Sequence, residues 1–249
     1  MNNTEKQVST SYIRKKTFIA ALSLVAFFAI CWFAWVWIHK QPTDNRTAKP
    51  LRVVLNTNES IFTSLFSNNN LSKTYSKKDA VVKVRVNGAI GMETILDTAW
   101  RLQVVRGPGD TLFISMDEIK ALPKTNVIFS FKCIEGWSQV TWWAGVKYSD
   151  FIKHFHLEQE VNMQYTGMHT PDNKYYVGLD NKSMLHPQTL LCYELNGKPL
   201  PLNQGYPLRL IIPVKYGVKH LKRIGTIFFS NERPPDYWYE RGYDYYCGL

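Results

Sequence analysis

The hydrophobic and polar positions divide the chain into an apolar N-terminal segment and a longer mixed region. From Thr17 to Ile38 the chain runs for 22 residues without a charge. A helix of that length spans the roughly 30 Å hydrocarbon core of a bilayer. Trp32, Trp35 and Trp37 lie near its C-terminal end, where tryptophan favours the membrane interface. Because a buried core helix would carry some polar face and none is present, the pattern predicts a transmembrane helix over residues 17–38.

Beyond this segment the pattern changes to short apolar runs that are separated by turn residues. The runs typical of β-strands are 80–86, 100–105, 127–134, 208–214 and 224–229. Helical spacing predicts short helices over 51–66, Met116–Leu122, Tyr148–Leu157 and Met184–Tyr193. This mixture predicts an α+β fold with mostly antiparallel strands. We expect one domain over residues 80–249, behind a linker and extension over residues 39–79.

The net charge of +10 is unevenly distributed, and half of it lies in the first 50 residues. Arg14, Lys15 and Lys16 precede the apolar run directly, so the positive-inside rule places residues 1–16 in the cytoplasm and the rest outside. The apolar run is longer than the core of a signal peptide, and no small-x-small cleavage site follows it. These observations favour an uncleaved single-pass anchor in the inner membrane, and they remove the reason to expect a nucleic-acid partner.

Cys133 is the cysteine whose position suggests chemistry. It ends a strand-like run just before a turn at Gly136, which would place its sulfur at the edge of a cleft. A thiolate there could act as a nucleophile or as a ligand for a soft metal, whereas spacing alone favours a buried structural cysteine. Cys31 lies in the predicted membrane helix, and a disulfide between Cys192 and Cys247 stays open.

A basic cluster follows an apolar strand that begins at Arg209. Its members lie around a glycine turn and are Lys215, Lys219, His220 and Lys222. A fixed guanidinium with a nearby ammonium and free main-chain N–H groups would suit the phosphate of a small cofactor. The alternative is a solvated basic loop, and no GxGxxG or Walker pattern accompanies the cluster to indicate a nucleotide.

Several segments together resemble one known family. In chain order they are NGAIG (87–91), WRLQV (100–104), KCIEGWS (132–138), HPQTL (186–190), NGKPLPLNQGYPLRLIIPVKYGVKHLK (196–222) and ERPPDYW (232–238). They resemble the sulfite-oxidase-fold molybdopterin-binding family over about residues 52–249. Within that family the chain most resembles the catalytic subunits of bacterial periplasmic methionine sulfoxide reductases.

The resemblance implies a molybdenum–molybdopterin cofactor and a set of residues that hold it. Cys133 matches the cysteine whose thiolate binds molybdenum, and Arg209 matches the arginine that binds the cofactor phosphate. The adjoining phosphate loop matches His220, Leu221 and Lys222, and the pterin contacts match Thr170, Gln204 and, by a looser alignment, Asn87. Gln204 stands where asparagine or histidine is more usual.

The resemblance also implies two-electron oxygen-atom transfer, with the reduction of a small or protein-bound sulfoxide as the favoured direction. Sulfite-oxidising relatives carry an arginine shortly after the ligand cysteine, whereas Ile134, Glu135, Gly136 and Trp137 follow Cys133 here. We therefore expect sulfite to be a poor substrate, and oxidation of a small substrate or a cofactor-free binding or scaffold role are the alternatives.

The same resemblance leads to expectations about partners and surroundings. Electrons would come from a membrane cytochrome or a quinol-linked subunit, and the catalytic domain would lie in the periplasm. The stretch 14–19 resembles a twin-arginine export signal but lacks the paired arginines, so the export route stays open. Trp137 and Trp143 are candidates for the cleft walls, and His169 is a candidate proton source.

Overall fold

The structure is a computed structural model that describes residues 8–93 and 99–248. The first seven residues of the predicted cytoplasmic segment lie outside the described residues, as do 94–98 and 249 of the predicted catalytic domain. The chain forms two compact units, Met1–Val54 and Leu55–Leu249.

The first unit is built on one long helix, α1 (Thr10–His39), of 30 residues. Its most apolar 18-residue window has a mean hydropathy of 2.3, and none of that window is buried. The predicted helix is confirmed and is longer than its uncharged segment. Within the described residues, α1 alone is both long and apolar enough to cross a membrane.

A short hairpin follows α1 and leads to a second helix. Strands β1 (Thr43–Asp44) and β2 (Thr47–Ala48) pair antiparallel. Arg52 is buried and donates hydrogen bonds to the carbonyl oxygens of Asp44 and Asn45 and to Oγ1 of Thr47. Helix α2 runs from Lys49 to Leu65, which confirms the helix predicted over 51–66.

In the described part of the second unit, ten strands form two five-stranded sheets. The strands are β3 (Leu102–Gly107), β4 (Asp110–Ile114), β5 (Lys124–Lys132), β6 (Ser138–Lys147), β7 (Tyr165–His169), β8 (Tyr176–Asp180), β9 (Leu190–Leu195), β10 (Lys198–Pro199), β11 (Arg209–Ile211) and β12 (Thr226–Ser230). One sheet has the order β10-β9-β6-β5, with β11 also paired to β9, and the other has the order β4-β3-β12-β7-β8. Of the strand pairs described, β3 with β12 is parallel and the others are antiparallel, so the predicted α+β, mostly antiparallel fold is confirmed.

Three short helices connect the strands: α3 (Met116–Lys120), α4 (Tyr148–His154) and α5 (Asn181–Met184). A capping box begins α3, because Oγ of Ser115 accepts from the N–H of Glu118 while the Glu118 carboxylate accepts from the N–H of Ser115. The predicted helices over Met116–Leu122 and Tyr148–Leu157 are confirmed, each with an earlier end.

Two sequence predictions of secondary structure are wrong. Residues 80–86 form no strand. The N–H of Val81 donates to the carbonyl of Val140 on β6 at 3.0 Å, but the carbonyl oxygens of Val81 and Val82 accept from Nδ2 of Asn196 instead of from a strand. The predicted helix Met184–Tyr193 is also wrong, because α5 ends at Met184 and β9 begins at Leu190. Pro187 has no N–H to donate, and the intervening turn is closed by Thr189, whose hydroxyl donates to the carbonyl of Ser183.

The core of the second unit consists of two apolar clusters. The larger includes Leu102, Val146, Leu210 and Ile227, and the smaller is built around Phe129, Phe131, Trp143 and Ile211. Burying each such side chain contributes about 1.5–3 kcal/mol, so the strands that carry them are held firmly. This packing fixes the end of β5 and the start of β11, the two points from which the predicted site residues Cys133 and Arg209 project.

The four cysteines are free thiols in the structure. The Cys192 thiol donates to the carbonyl of Glu194 at 3.1 Å, and the Cys247 thiol donates to that of Asp244 at 2.9 Å. The structure therefore contains no Cys192–Cys247 disulfide.

Candidate functional site

A cleft of about 680 Å³, measured to its open mouth, lies beside the end of β5. It is lined by four segments that are distant in sequence: residues 87–90, 133–135, 217–222 and 238–243, together with Tyr175. The lining residues are Asn87, Gly88, Ile90, Cys133, Ile134, Glu135, Tyr175, Gly217, Val218, His220, Lys222, Trp238 and Tyr243. Four of the eight predicted site residues are therefore in one cleft, namely Cys133, Asn87, His220 and Lys222.

Cys133 follows β5 directly and sits in a tight turn. Its N–H donates to the carbonyl of Trp137 at 2.9 Å, and its carbonyl accepts from the N–H of Gly136 at 3.1 Å. Gly136 has φ +88°, which a side chain would strain. Cys133 is 6% exposed, and burial raises the pKa of its thiol. The thiol is therefore neutral on its own, and a cationic soft metal would favour the thiolate instead.

Arg209 begins β11 and is 1% exposed. Its Nη1 donates to the main-chain carbonyl of Gln204 at 3.0 Å and to Oε1 of Gln204 at 2.9 Å. Its Nε and Nη2 are buried and have no hydrogen-bond acceptor among the residues that the structure describes. Burial lowers the pKa of the guanidinium to about 10. Since unpaired buried donors are costly, this guanidinium is set up to receive an anion.

Lys222 provides a second buried cation in the same region. Its Nζ donates to the carbonyl oxygens of Gly88 at 2.9 Å and Asn203 at 3.2 Å. Burial, and secondly the charge of Arg209, lowers the pKa of Lys222 to about 7. Among residues 8–93 and 99–248, neither Arg209 nor Lys222 forms a salt bridge with a carboxylate. Together they make a site of positive charge that a phosphate would neutralise.

Gln204 and Asn87 join the cleft to Arg209. The Gln204 amide donates weakly to the carbonyl oxygens of Val84 and Arg85 at 3.3 and 3.4 Å, while its Oε1 accepts from Arg209. Asn87 lines both the cleft and a smaller cavity of about 160 Å³ that Gln204 and Arg209 also line. The stretch 84–87 therefore lies against the cavity that Arg209 lines. The carbonyl oxygens of Val84 and Arg85 accept from Gln204, so they need no neighbouring strand.

His220 and Leu221 contribute differently from Lys222. Nε2 of His220 lies 3.1 Å from the carbonyl of Lys215, and its Nδ1 lies 3.5 Å from the N–H of Ile212, which assigns the proton to Nε2. Burial lowers the pKa of His220 to about 3, so the ring is neutral and has no free donor for a phosphate. The Leu221 side chain is fully buried in the larger core cluster.

Thr170 and His169 are not among the residues that line the cleft, although Thr170 is bonded to Tyr175, which does line it. The Thr170 hydroxyl donates to Oδ1 of Asp172 at 2.6 Å and accepts from the N–H of Tyr175, which places it in a turn after β7. A Cβ on Gly91 would lie 2.5 Å from Cγ2 of Thr170, so the two stretches are in close contact. His169 packs its ring against Phe228, with ring centroids 6.1 Å apart.

The two tryptophans considered as cleft walls take separate places. Trp137 stacks on Phe131, donates to the Glu135 carboxylate at 3.0 Å, and has the Arg85 guanidinium 4.7 Å from its ring. Trp143 is buried, and Cζ of Arg209 lies 4.5 Å from the centroid of its ring. Neither is among the residues that line the cleft, although Trp143 lines the smaller cavity.

The structure also shows which members of the basic cluster serve another purpose. Lys215 pairs with Asp180 at 2.7 Å and Lys219 pairs with Asp236 at 2.5 Å, and all four side chains are mostly or fully buried. These two lysines are therefore neutralised by carboxylates of the protein. Sequence spacing could not separate them from Lys222, because their partners come from β8 and from the C-terminal segment.

Sequence reasoning missed the apolar wall of the cleft. That wall consists of Ile90, Tyr175, Val218, Trp238 and Tyr243. The signal that could have found part of it is the segment ERPPDYW, which ends at Trp238 and served only to support the resemblance.

The donor set suits a cofactor that carries both a soft metal and a phosphate. Cys133 offers a soft sulfur ligand, whereas Arg209 and Lys222 offer buried positive charge, and Arg209 adds two nitrogen donors that are unpaired within the described residues. The cleft that Cys133 and Lys222 both line is large enough for a small organic ring system.

Comparison with known proteins places this site in context. The family model described as "oxidoreductase molybdopterin binding domain" matches residues 89–238. A protein of Azospira oryzae that is named as a protein-methionine-sulfoxide reductase subunit, YedZ1, is 30% identical to this chain. The match covers 74% of this chain and 70% of that protein. The protein-methionine-sulfoxide reductase catalytic subunit MsrP of Xanthomonas axonopodis is 34% identical, over 51% of this chain and 44% of its own length.

Among solved structures, the sulfane dehydrogenase SoxCD from Paracoccus pantotrophus aligns with this chain. The TM-score is 0.49 and the identity is 16%, over 56% of this chain and 40% of that chain.

Proposed function

Because the chain belongs to the oxidoreductase molybdopterin-binding domain family, and so is a molybdenum-dependent oxidoreductase with molybdopterin as cofactor, we propose that it reduces a neutral sulfoxide. The molybdenum of the bound cofactor supplies the two-electron oxygen-atom exchange. The protein's part is to hold that cofactor, to shape the substrate cleft and to exclude competing anions. The observation that carries the proposal is the composition of the cleft wall next to Cys133.

The cofactor would be held by residues on two sides of the cleft. The Cys133 sulfur would bind the metal, and Nε and Nη2 of Arg209 with Nζ of Lys222 would bind the phosphate. Asn87 and Gln204 would contact the pterin from the stretch that covers Arg209, and Thr170 would support it from the turn that packs on Gly91. His220 and Leu221 would shape the loop rather than donate side-chain hydrogen bonds to the cofactor. Both ring nitrogens of His220 already have main-chain partners, and the Leu221 side chain lies in the core.

The wall next to Cys133 favours a neutral substrate with an apolar arm. Ile90, Val218 and the rings of Trp238 and Tyr243 form its apolar side, and the Glu135 carboxylate lies beside Cys133. An anionic substrate such as sulfite would meet that carboxylate, whereas the cations deeper in the site would be neutralised by the cofactor phosphate. A sulfoxide is neutral and carries a polar oxygen next to alkyl groups, which matches this wall.

Two further parts of the proposal concern location and electron supply. Helix α1 would anchor the chain in the inner membrane, with the catalytic unit on the periplasmic side, as the basic residues before it indicate. A membrane cytochrome or quinol-linked partner would deliver the electrons. Support comes from the names of the two relatives, which describe them as a subunit and a catalytic subunit of a protein-methionine-sulfoxide reductase.

The proposal is tested with the full-length chain purified in detergent from a host that makes molybdopterin. Reduction of methionine sulfoxide is measured with a reduced viologen as electron donor, and oxidation of sulfite is measured with an artificial acceptor. We expect sulfoxide reduction and only background oxidation of sulfite. Turnover of sulfite at a kcat/KM equal to or above that for the sulfoxide would contradict the proposed direction and substrate class.

Two variants separate the site from the fold. Cys133→Ala should lose sulfoxide reduction, whereas Cys247→Ala, a matched change at a buried free cysteine outside the cleft, should keep it. The anchor is tested by fusing a reporter that is active only in the periplasm to the C-terminus. An active reporter supports the proposed orientation, and a silent reporter on a well-expressed fusion contradicts it.

A further inference from the structure

The Asp236 carboxylate forms a buried ion pair with Lys219 and also accepts hydrogen bonds from two other segments of the chain. Its side chain is 3% exposed. Oδ2 accepts from Nζ of Lys219 at 2.5 Å and from the N–H of Gly178 at 3.1 Å. Oδ1 accepts from the N–H groups of Trp238 at 3.2 Å and Tyr239 at 3.0 Å. One carboxylate therefore connects strand β8, the 217–222 loop and the C-terminal turn.

The hydrogen bond from Lys219, called here the Lys219 arm of Asp236, connects this carboxylate to the 217–222 loop on the cofactor side of the cleft. Lys219 lies directly before His220 and three residues before Lys222, which both line the cleft, and its Nζ also donates to the carbonyl of Gly178 at 2.9 Å. The ring of Tyr245 lies 4.5 Å from Nζ of Lys219. Since the ammonium is fixed by these partners, the loop main chain on either side of Lys219 is fixed as well.

The other arm reaches the wall on the substrate side. By capping the N–H groups of residues 238 and 239, Oδ1 of Asp236 sets the direction in which the C-terminal turn leaves the β8 edge. Trp238 and Tyr243 both line the cleft from that turn, with ring centroids 5.0 Å apart. The carbonyl of Trp238 accepts from the N–H of Tyr243, which keeps the turn compact.

We propose that Asp236 is a positioning residue that sets the two sides of the cleft relative to each other, the cofactor loop through Lys219 and the apolar wall through Trp238. This inference rests on the proposed function for the identity of the ligands on the two sides. Asp236 itself touches neither ligand and acts through these neighbours. Loss of its Lys219 arm lets the carboxylate rotate, which loosens the loop and the turn together.

The pair Lys215–Asp180 offers a matched comparison, because Lys215 lies just before the 217–222 loop. Oδ2 of Asp180 lies 2.7 Å from Nζ of Lys215, and Oδ1 accepts from the N–H of Ser183 at 2.8 Å. Asp180 thus resembles Asp236 in having one lysine arm and one capping arm. Its capping arm, however, holds helix α5, and no residue of α5 lines the cleft. A purely structural role would therefore make the two aspartates behave alike.

The experiment compares Asp236→Asn with Asp180→Asn in the full-length protein. Each amide keeps one oxygen for its capping arm and presents an N–H₂ group to its lysine. We measure molybdenum content, kcat and KM for methionine sulfoxide per bound molybdenum, and hydrogen exchange of residues 215–222 and 237–243. Changes in residues that orient a metal site from outside typically cost about 10–100-fold in affinity or activity, so we expect Asp236→Asn to lose molybdenum about tenfold and to raise KM. Exchange should accelerate in both stretches, whereas Asp180→Asn should keep wild-type molybdenum content and KM.

Equal effects of the two variants on molybdenum content and KM would overturn the proposal, as would wild-type values in Asp236→Asn. If Asp236→Asn does not fold, Lys219→Met tests the same connection with the capping arm intact: reduced molybdenum content supports the proposal and wild-type content refutes it. Molybdenum content and hydrogen exchange do not depend on the substrate. A protein that fails to reduce sulfoxides but shows the expected exchange pattern would therefore refute the proposed function and leave the role of Asp236 supported.

Discussion

Replacing Arg209 by methionine should separate cofactor binding from folding. In the cofactor-free protein, Arg209 is a buried cation whose Nε and Nη2 find no acceptor within residues 8–93 and 99–248. Methionine is unbranched and flexible, and it fills the space of the arginine side chain as far as Nε without adding a charge. We therefore expect Arg209→Met to remove the phosphate site while leaving the cofactor-free fold nearly as stable as the wild type.

The expected size of the stability change follows from the contacts of Arg209. Burial lowers the pKa of Arg209 from 12.5 to about 10, which corresponds to a cost of about 3 kcal/mol for keeping the charge in the cofactor-free fold. The two hydrogen bonds to Gln204 contribute about 1 kcal/mol each, and the contact with the Trp143 ring contributes about 1 kcal/mol. Because the cost and the gains nearly cancel, the free energy of unfolding should change by no more than about 1 kcal/mol.

The assay has two arms. Urea unfolding of detergent-solubilised protein from a host that cannot make molybdopterin gives the stability of the cofactor-free state, and molybdenum content after expression in a competent host gives cofactor retention. Arg233→Met is the control, because Arg233 pairs with Glu59 at 2.7 Å and does not line the cleft. The reasoning is refuted if Arg209→Met keeps wild-type molybdenum content, or if its cofactor-free form loses more than about 3 kcal/mol.

Three further outcomes are expected. Burial lowers the pKa of Lys222 from 10.5 to about 7 in the cofactor-free protein, so its folded state binds fewer protons than the unfolded state between these values. Relative to Lys222→Met, the free energy of unfolding of the cofactor-free wild type should therefore rise as the pH is raised from 7 to 10.5. A difference in unfolding free energy between the two proteins that does not change with pH would contradict this. Cys133→Ala should cost only about 1 kcal/mol of stability in thermal unfolding but should abolish the thiolate signature of the Mo(V) resonance, and an unchanged resonance would remove Cys133 from the metal site. Gly91→Ala should reduce molybdenum content, because its Cβ would lie 2.5 Å from Thr170 at a φ of +77°, whereas the same change at Gly109, where φ is +76° and nothing lies within 4 Å, should leave it unchanged.

The elements that sequence predicted well are those in which local pattern and tertiary packing agree. The runs 127–134 and 224–229 became β5 and β12 because their apolar residues face the two core clusters. The match of residues 89–238 to the molybdopterin-binding family confirms the predicted fold class, the molybdenum cofactor and the oxidoreductase class. The individual cofactor contacts remain predictions, which the variants described above address.

The predictions that failed depended on hydrogen bonds made by distant partners. The run 80–86 alternates like a strand, yet Asn196 and Gln204 bond its carbonyl oxygens, so it covers the Arg209 site without joining a sheet. The run 184–193 has helical spacing, but Pro187 interrupts it and the second half pairs with β6 as β9. Neither set of partners can be read from local periodicity, because each lies more than 30 residues away along the chain.

Local sequence was sufficient for the features that depend on one segment at a time. The length and charge of residues 10–39 specify a long exposed apolar helix, and the order of short motifs specifies the family and its cofactor. The roles of the basic residues could not be predicted in this way, because the role of a lysine depends on which groups the fold places next to it. Folding pairs Lys215 with Asp180 and Lys219 with Asp236, and leaves Arg209 and Lys222 without a carboxylate in the described part of the chain. A buried charge must be neutralised by some partner, and which partner is available depends on which strands and loops the fold brings together.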